Sequence, residues 1–133
     1  ILFIELCINL LKDGGRMGIV LPEGVIAGKS FGYVLDFLRD SGEITGLIDC
    51  PRVLFQPSTD TKTVILFFRK GKGTQETIWM ACPETCGHDK RGRLLRNDKG
   101  EIENDFFHVG SLWEREEFGS LGFQVEKGEI EKF

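Results

Sequence analysis

The sequence predicts an α/β fold in which parallel strands are followed by an antiparallel hairpin. Three observations carry this. Met17–Leu21 is an unbroken apolar run closed by Pro22, as in a strand covered on both faces. Phe31, Val34, Leu35 and Leu38 then repeat at helical spacing, before a second apolar run, Ile44–Cys50, closed by Pro51. Strand, helix and strand with short links make a right-handed parallel crossover. Finally, Thr63–Arg69 and Thr77–Ala81 are β-branched and aromatic runs separated by Lys70-Gly71-Lys72-Gly73. That pattern reads as a hairpin.

The elements follow in order. Ile1–Lys12 has helical spacing, with Glu5, Asn9 and Lys12 as one narrow polar stripe. A helix apolar over most of its circumference must be buried on more than one side. The chain opens with Ile inside this pattern, which reads as a piece of a longer protein whose N-terminal half lies upstream. Asp13-Gly14-Gly15 stops the helix. After the first strand, Pro22–Lys29 is expected to be a loop, and Ser30 to cap the second helix, which Gly42 ends. Arg52–Thr61 is a longer loop. Pro83–Gly100 is polar and irregular. Asn104 or Asp105 caps a last helix through Phe107 and Trp113, with Gly110 weakening it. No clear period marks the tail from Gly119. The expected division is residues 1–96 as one domain and 97–133 as a helical and irregular acidic extension.

Length and composition fit a water-soluble domain. The chain has 133 residues, 41% hydrophobic and 29% charged. It carries no apolar run long enough to span a bilayer and no recognisable leader, so a cytoplasmic protein without membrane contact is expected. Cys7 and Cys50 sit in apolar stretches, as expected of buried thiols in a reducing compartment. The net charge of −4 is uneven: −1 over residues 1–86, +3 over 87–100 and −6 over 101–133. The mean argues against nucleic acid, whereas the short basic segment argues for it.

Ligands of open α/β sheets sit beyond the carboxyl ends of the strands, so Leu21-Pro22-Glu23-Gly24 is the first place to look for a site. On local pattern alone, the favoured reading is that Pro22 and Gly24 only build a turn. Glu23 and Asp49, both near strand ends, could do acid–base work, cap helices or face water. Cys82, Cys86 and His88 lack a fourth ligand at recurrent spacing, and His108 stands alone, so no metal site is expected. No phosphate-cradling glycine loop or nucleophile elbow is present. His88-Asp89-Lys90-Arg91-Gly92-Arg93 could approach a phosphate backbone or be a solvated turn.

Several stretches together resemble the N6-adenine DNA methyltransferases, above all the modification subunit of type I restriction–modification systems. They are Leu10-Leu11-Lys12-Asp13-Gly14-Gly15-Arg16 with Ile19–Gly24, then Phe55–Thr63 running into Val64–Phe68, then Gly87–Arg93. The resemblance covers roughly residues 1–96. It implies a partial class I S-adenosylmethionine-dependent methyltransferase (Rossmann-like) fold, with a target adenine flipped out of the duplex. The family's glycine-rich cofactor turn and Asn-Pro-Pro-aromatic motif do not occur here, so no catalytic or cofactor-binding residue is assigned. S-adenosylmethionine is expected in the longer protein and not on this fragment. Met17–Leu21, Ile44–Cys50 and Thr63–Arg69 would be the fifth, sixth and seventh strands. The resemblance implies that Pro22, Glu23 and Gly24 line the adenine crevice, that Thr61, Lys62 and Thr63 shape its rim, and that Lys90, Arg91 and Arg93 meet DNA phosphate. Expected partners are DNA and the specificity and restriction subunits, with self-association of the fragment possible through its apolar first helix and sheet edge. The alternative is a non-catalytic α/β module that binds a protein partner through an exposed half-sheet.

Overall fold

All the apolar β runs pair into one mixed sheet. The structure, a computed structural model, describes residues 1–74, 76–115 and 119–126. The strands are β1 (Arg16–Pro22), β2 (Gly42–Asp49), β3 (Thr63–Lys70), β4 (Thr77–Ala81) and β5 (Gly122–Glu126), in the spatial order β1-β3-β2-β4-β5. The helices are α1 (Leu2–Leu10), α2 (Glu23–Ala27), α3 (Gly32–Ser41) and α4 (Asp105–Arg115).

β3 runs antiparallel to both β1 and β2, so β1 and β2 are parallel to each other with β3 between them. The expected hairpin of β3 with β4 does not form. Both edges of β3 are already filled, and β4 pairs instead with β2 in parallel and with β5 antiparallel. β5 lies in the tail where no period was visible. Residues 116–118 and 127–133 of the acidic extension lie outside the described residues.

Two apolar layers fix the sheet. On one face Ile4 and Ile8 of α1 and Val34 and Leu38 of α3 meet Leu21, Val64, Leu66 and Phe68. On the other face Val109 and Leu112 of α4 meet Ile48, Trp79 and Ala81. α4 reaches β2 and β4 but leaves β1 bare on that side. β1 is therefore not buried on both faces as expected: Leu21 is buried while Gly18 and Val20 are exposed. It is also an edge strand, with β3 on one side and no strand of the described residues on the other. α1 is likewise covered on one side only, and Leu2, Phe3 and Leu10 are each more than three-quarters exposed. Its last carbonyls, which lack helical partners, accept from Lys70 Nζ, Ile8 O at 2.9 Å and Leu11 O at 2.7 Å.

Two local expectations change. The stretch after Pro22 is not a loop: it forms α2 and a 3-10 turn, Lys29–Phe31. Ser30 sits inside that turn and caps nothing; α3 starts at Gly32 without a side-chain cap. At α4 the expectation holds. Asn104 Oδ1 accepts from Phe106 N at 3.0 Å, and Asp105 Oδ2 accepts from the N–H groups of Glu84 and Thr85 at 2.9 and 2.8 Å.

Candidate functional site at the carboxyl ends of the strands

Pro22 ends β1, and Glu23 opens α2 at once. The residue paired with Pro22 across the ladder is Thr63, the first of β3, so the segment 61–63 arrives beside 22–24 by strand register. Glu23 N donates to Lys62 O at 2.9 Å. The Lys62 side chain then joins the two parallel strands. Its Nζ lies 2.8 Å from Asp49 Oδ2 at the end of β2 and 3.8 Å from Glu23 Oε1. The hydrogen bond to Asp49 raises the Lys62 pKa above its ordinary value, so the ammonium is secure at neutral pH. Glu23 and Asp49 thus form neither a free acid–base pair nor helix caps; they flank one lysine.

Cys50 and Cys82 stand next to this cluster. Burial raises the Cys50 thiol pKa, and partial desolvation raises that of Cys82 although the residue is exposed; the Asp49 carboxylate adds to both, so neither thiol is an activated nucleophile. Thr61 is exposed, and its N–H and hydroxyl bond to Thr59 Oγ1. Thr63 is buried, and its carbonyl accepts from Cys50 N at 3.1 Å. Pro22 and Gly24 are exposed. Upstream of Thr61 the loop is braced by Asp60, which accepts from Arg52 Nη1 at 3.2 Å and from Gln56 Nε2.

The basic segment is a tight turn built on Asp89. Asp89 N donates to Arg93 O and Gly92 N to Asp89 O, both at 2.9 Å. Asp89 Oδ1 accepts from the N–H groups of Arg91 and Arg93, while Oδ2 receives Arg93 Nε and Nη2 at 2.8 and 2.6 Å. Gly92 takes φ +78°, a conformation that favours glycine. His88 Nε2 lies 3.3 Å from Leu54 O, which ties the turn to the loop after β2. The structure therefore brings 22–24 and 61–63 together at one rim. Residues 90–93 stand beyond the 52–60 loop. Arg93 is engaged by Asp89, whereas Lys90 and Arg91 are exposed and make no ion pair among the described residues. Among the described residues, no three His, Cys, Asp or Glu side chains stand close enough to hold a metal ion. No helix there is long and apolar enough to cross a membrane.

The turn carries a pH dependence. The Arg93 N–H, then the Arg93 guanidinium, hold the Asp89 pKa down at about 2 from an ordinary 3.8. A depressed carboxylate adds stability above its unfolded value, and that stability is lost as pH falls through the folded value. The turn should be intact at pH 5 and open between about pH 4 and 2. The Arg93 amide resonance would report it, and a titration midpoint near 4 would refute the pairing.

Sequence reasoning missed the Lys62–Asp49 link because it depends on which strands lie side by side. It also missed the Asp89–Arg93 clamp, although Asp followed by Gly three residues on is a turn signal.

Residues 1–132 match the model of a family described as N-6 DNA methylase. The type I restriction enzyme EcoEI methylase subunit of Escherichia coli is 37% identical over 79 residues, which are 59% of this chain and 16% of that protein. A chain from a structure addressing complex assembly and conformational transition of the type I R-M system superposes with a TM-score of 0.75 at 25% identity, over 98% of this chain and 29% of that one. A structure from Listeria monocytogenes assigned to the class I S-adenosylmethionine-dependent methyltransferases gives a TM-score of 0.51 at 26% identity, over 61% and 25%. The chain spans less than a third of the length of each of these relatives.

Proposed function

The chain belongs to the N-6 DNA methylase family, and from that premise we propose that it is part of an adenine-N6 DNA methyltransferase of a type I restriction–modification system. Its role there is to wall the adenine pocket and to contact DNA. The observation that carries the reading is the Lys62 bridge. One ammonium holds the start of α2 to the end of β2, at the end of the sheet where α/β folds bind ligands. Pro22, Glu23 and Gly24 form one side of that crevice, and Thr61, Lys62 and Thr63 the other. In the longer protein, S-adenosylmethionine, when bound, supplies the methyl group. The residues of this chain orient the extruded base and exclude water from it.

The bare edge of β1 and the exposed apolar side of α1 meet the rest of that methyltransferase domain. Exposed strand edges and large apolar patches mark places where more protein packs. The same surface makes the partner-binding module a weaker reading, since a sheet continued in the longer protein already accounts for it. The specificity and restriction subunits, and action on DNA in the cytoplasm, follow from the same proposal. The test is methyl transfer by the longest reading frame that contains this chain. Labelled methyl groups should appear at adenine N6 of unmethylated DNA. Label at cytosine, or in protein alone, overturns the reading.

The chain by itself should not bind S-adenosylmethionine tightly, because it has no glycine-rich cofactor turn. Calorimetric titration with a dissociation constant in the low micromolar range, on the order of −8 kcal/mol, would count against this. Lys90 and Arg91, with the part of Arg93 that Asp89 leaves free, meet DNA phosphate in the longer protein. Replacing Lys90, Arg91 and Arg93 with alanine there should weaken binding alike on cognate and scrambled duplexes. The salt slope should fall by roughly 2–3 units, nearer 2 if Arg93 stays clamped. Altered site preference with an unchanged slope would mean that the arginines read base edges instead.

A further inference from the structure

The basic turn and the rim residues 61–63 are joined through the loop between them, residues 52–60. That loop is closed on itself. Arg52 Nη1 donates to Asp60 O and to Asp60 Oδ2, both at 3.2 Å, Gln56 Nε2 donates to Asp60 Oδ1, and Thr59 N donates to Phe55 O at 3.0 Å. A loop held by several internal bonds opens less readily than one with none, so a push at one end reaches the other. Downstream, Asp60 leads to Lys62, whose carbonyl accepts from Glu23 N and whose ammonium lies 2.8 Å from Asp49 Oδ2. Upstream, Leu54 O lies 3.3 Å from His88 Nε2. Beside that bond a Cβ on Gly92 would lie 3.5 Å from Pro57 Cδ, so the turn rests against the loop.

His88 spans the two. Its Nδ1 lies 2.9 Å from Asp89 O inside the turn, while Nε2 reaches Leu54 O on the loop. Both nitrogens thus face carbonyl oxygens, and the ring bonds Leu54 O whenever Nε2 carries a proton. Neither end depends on the ring for its own shape. The turn is held by the Asp89 carboxylate, which takes the N–H groups of Arg91 and Arg93 and the Arg93 guanidinium, and Leu95 N closes it on Gly87 O at 3.0 Å. The rim is held by Lys62. What His88 fixes is the separation between them. Phosphate contacts set the register of a duplex on a protein. Binding energy gathered away from the reacting atoms raises a rate only where it is coupled to their placement. We propose that His88 is a positioning residue for base extrusion. It holds the turn at a fixed distance from the rim, so that a duplex gripped at Lys90 and Arg91 presents its adenine to residues 22–24 and 61–63. This rests on the methyltransferase reading above and adds to it a residue that touches neither phosphate nor base.

The test compares two amide variants in the assembled methyltransferase. His88→Gln places an N–H where Nε2 stands and can keep the bond to Leu54 O. His88→Asn places one where Nδ1 stands and falls short of it. His88→Asn should lower kcat at saturating DNA by about tenfold, whereas His88→Gln should stay within about threefold of the parent. Both should bind DNA with a dissociation constant within about twofold of the parent and an unchanged salt slope, because Lys90 and Arg91 are untouched. A fluorescent adenine analogue at the target position should show less extrusion in His88→Asn alone. Equal kcat in the two variants, retained or lost, overturns the proposal. So does a loss of rate that follows a fall in thermal midpoint, which would make His88 a part of the fold only. Weaker binding with kcat retained overturns it by placing His88 on the phosphate. A parent that methylates no adenine overturns the methyltransferase reading, and this inference with it; an active parent with either of the other failures overturns this inference alone.

Discussion

Replacing Phe68 with alanine should cost the chain about 3–5 kcal/mol, the usual range for deleting a buried phenylalanine ring. Phe68 is fully buried at the centre of the layer that joins α1 and α3 to the sheet. It sits on β3, the strand that holds β1 and β2 together. Its ring tip reaches the start of β2, where a Cβ on Gly42 would lie 2.6 Å from it and 2.2 Å from the Arg69 carbonyl oxygen, so position 42 has no room for a side chain. That close fit leaves neighbouring backbone little room to relax, and the cavity would persist. A domain of this size has a total stability of roughly 5–15 kcal/mol, so the loss is a large share of it. In urea, at about 2 kcal/mol per molar, the midpoint should fall by roughly 1.5–2.5 M. Phe107 provides the control. It is 78% exposed on α4, and its alanine variant should stay within about 0.5 kcal/mol of the parent chain. Equal midpoints for the two variants would refute this account of the core.

The strands were legible because each is marked locally. Met17–Leu21, Thr63–Arg69 and Thr77–Ala81 are apolar, β-branched or aromatic runs closed by Pro, Gly or charge, and all three are strands in the structure. Their order in the sheet was not legible. The short link between Arg69 and Thr77 suggested a hairpin, yet the chain crosses over β2 because β3 already has two partners. Pairing of that kind is decided by distant segments, and no local pattern encodes it. β5 escaped because Gly122-Phe123-Gln124-Val125-Glu126 is an outer strand, mostly exposed, with little apolar periodicity. The site divides in the same way. Segments 22–24 and 61–63 stood out by family resemblance, and the charge of 90–93 by composition. The bridge between the first two appears only once Pro22 and Thr63 are in register.

That bridge yields the largest functional effect expected. On the function proposed above, Lys62→Ala in the longer protein should lower kcat/KM for adenine methylation by about 10–100-fold, equivalent to roughly 1.4–2.7 kcal/mol of transition-state stabilisation. Lys62 is the cation between Glu23 and Asp49, and its side chain is 27% exposed. Without it two carboxylates face each other across the rim, and Asp49, whose Oδ1 is already buried without a hydrogen bond, loses its one ion pair among the described residues. The start of α2 and the end of β2 should then separate, and a displacement of about 1 Å beside a reacting group can cost on the order of 100-fold. The pH dependence has a definite sign. A lysine whose pKa is raised contributes below its unfolded value of 10.5, and the contribution is lost as pH rises through the still higher folded value. Between pH 6 and 9 the bridge is therefore constant, and the variant should lower the whole rate profile without shifting it. Two further readouts separate positioning from simple loss of fold. Lys62→Arg should recover part of the rate, because it restores the charge. A fluorescent adenine analogue at the target position should show less base extrusion in Lys62→Ala than in the parent. An unchanged rate in Lys62→Ala, or a lowered rate with full base extrusion, would remove Lys62 from the rim of the pocket.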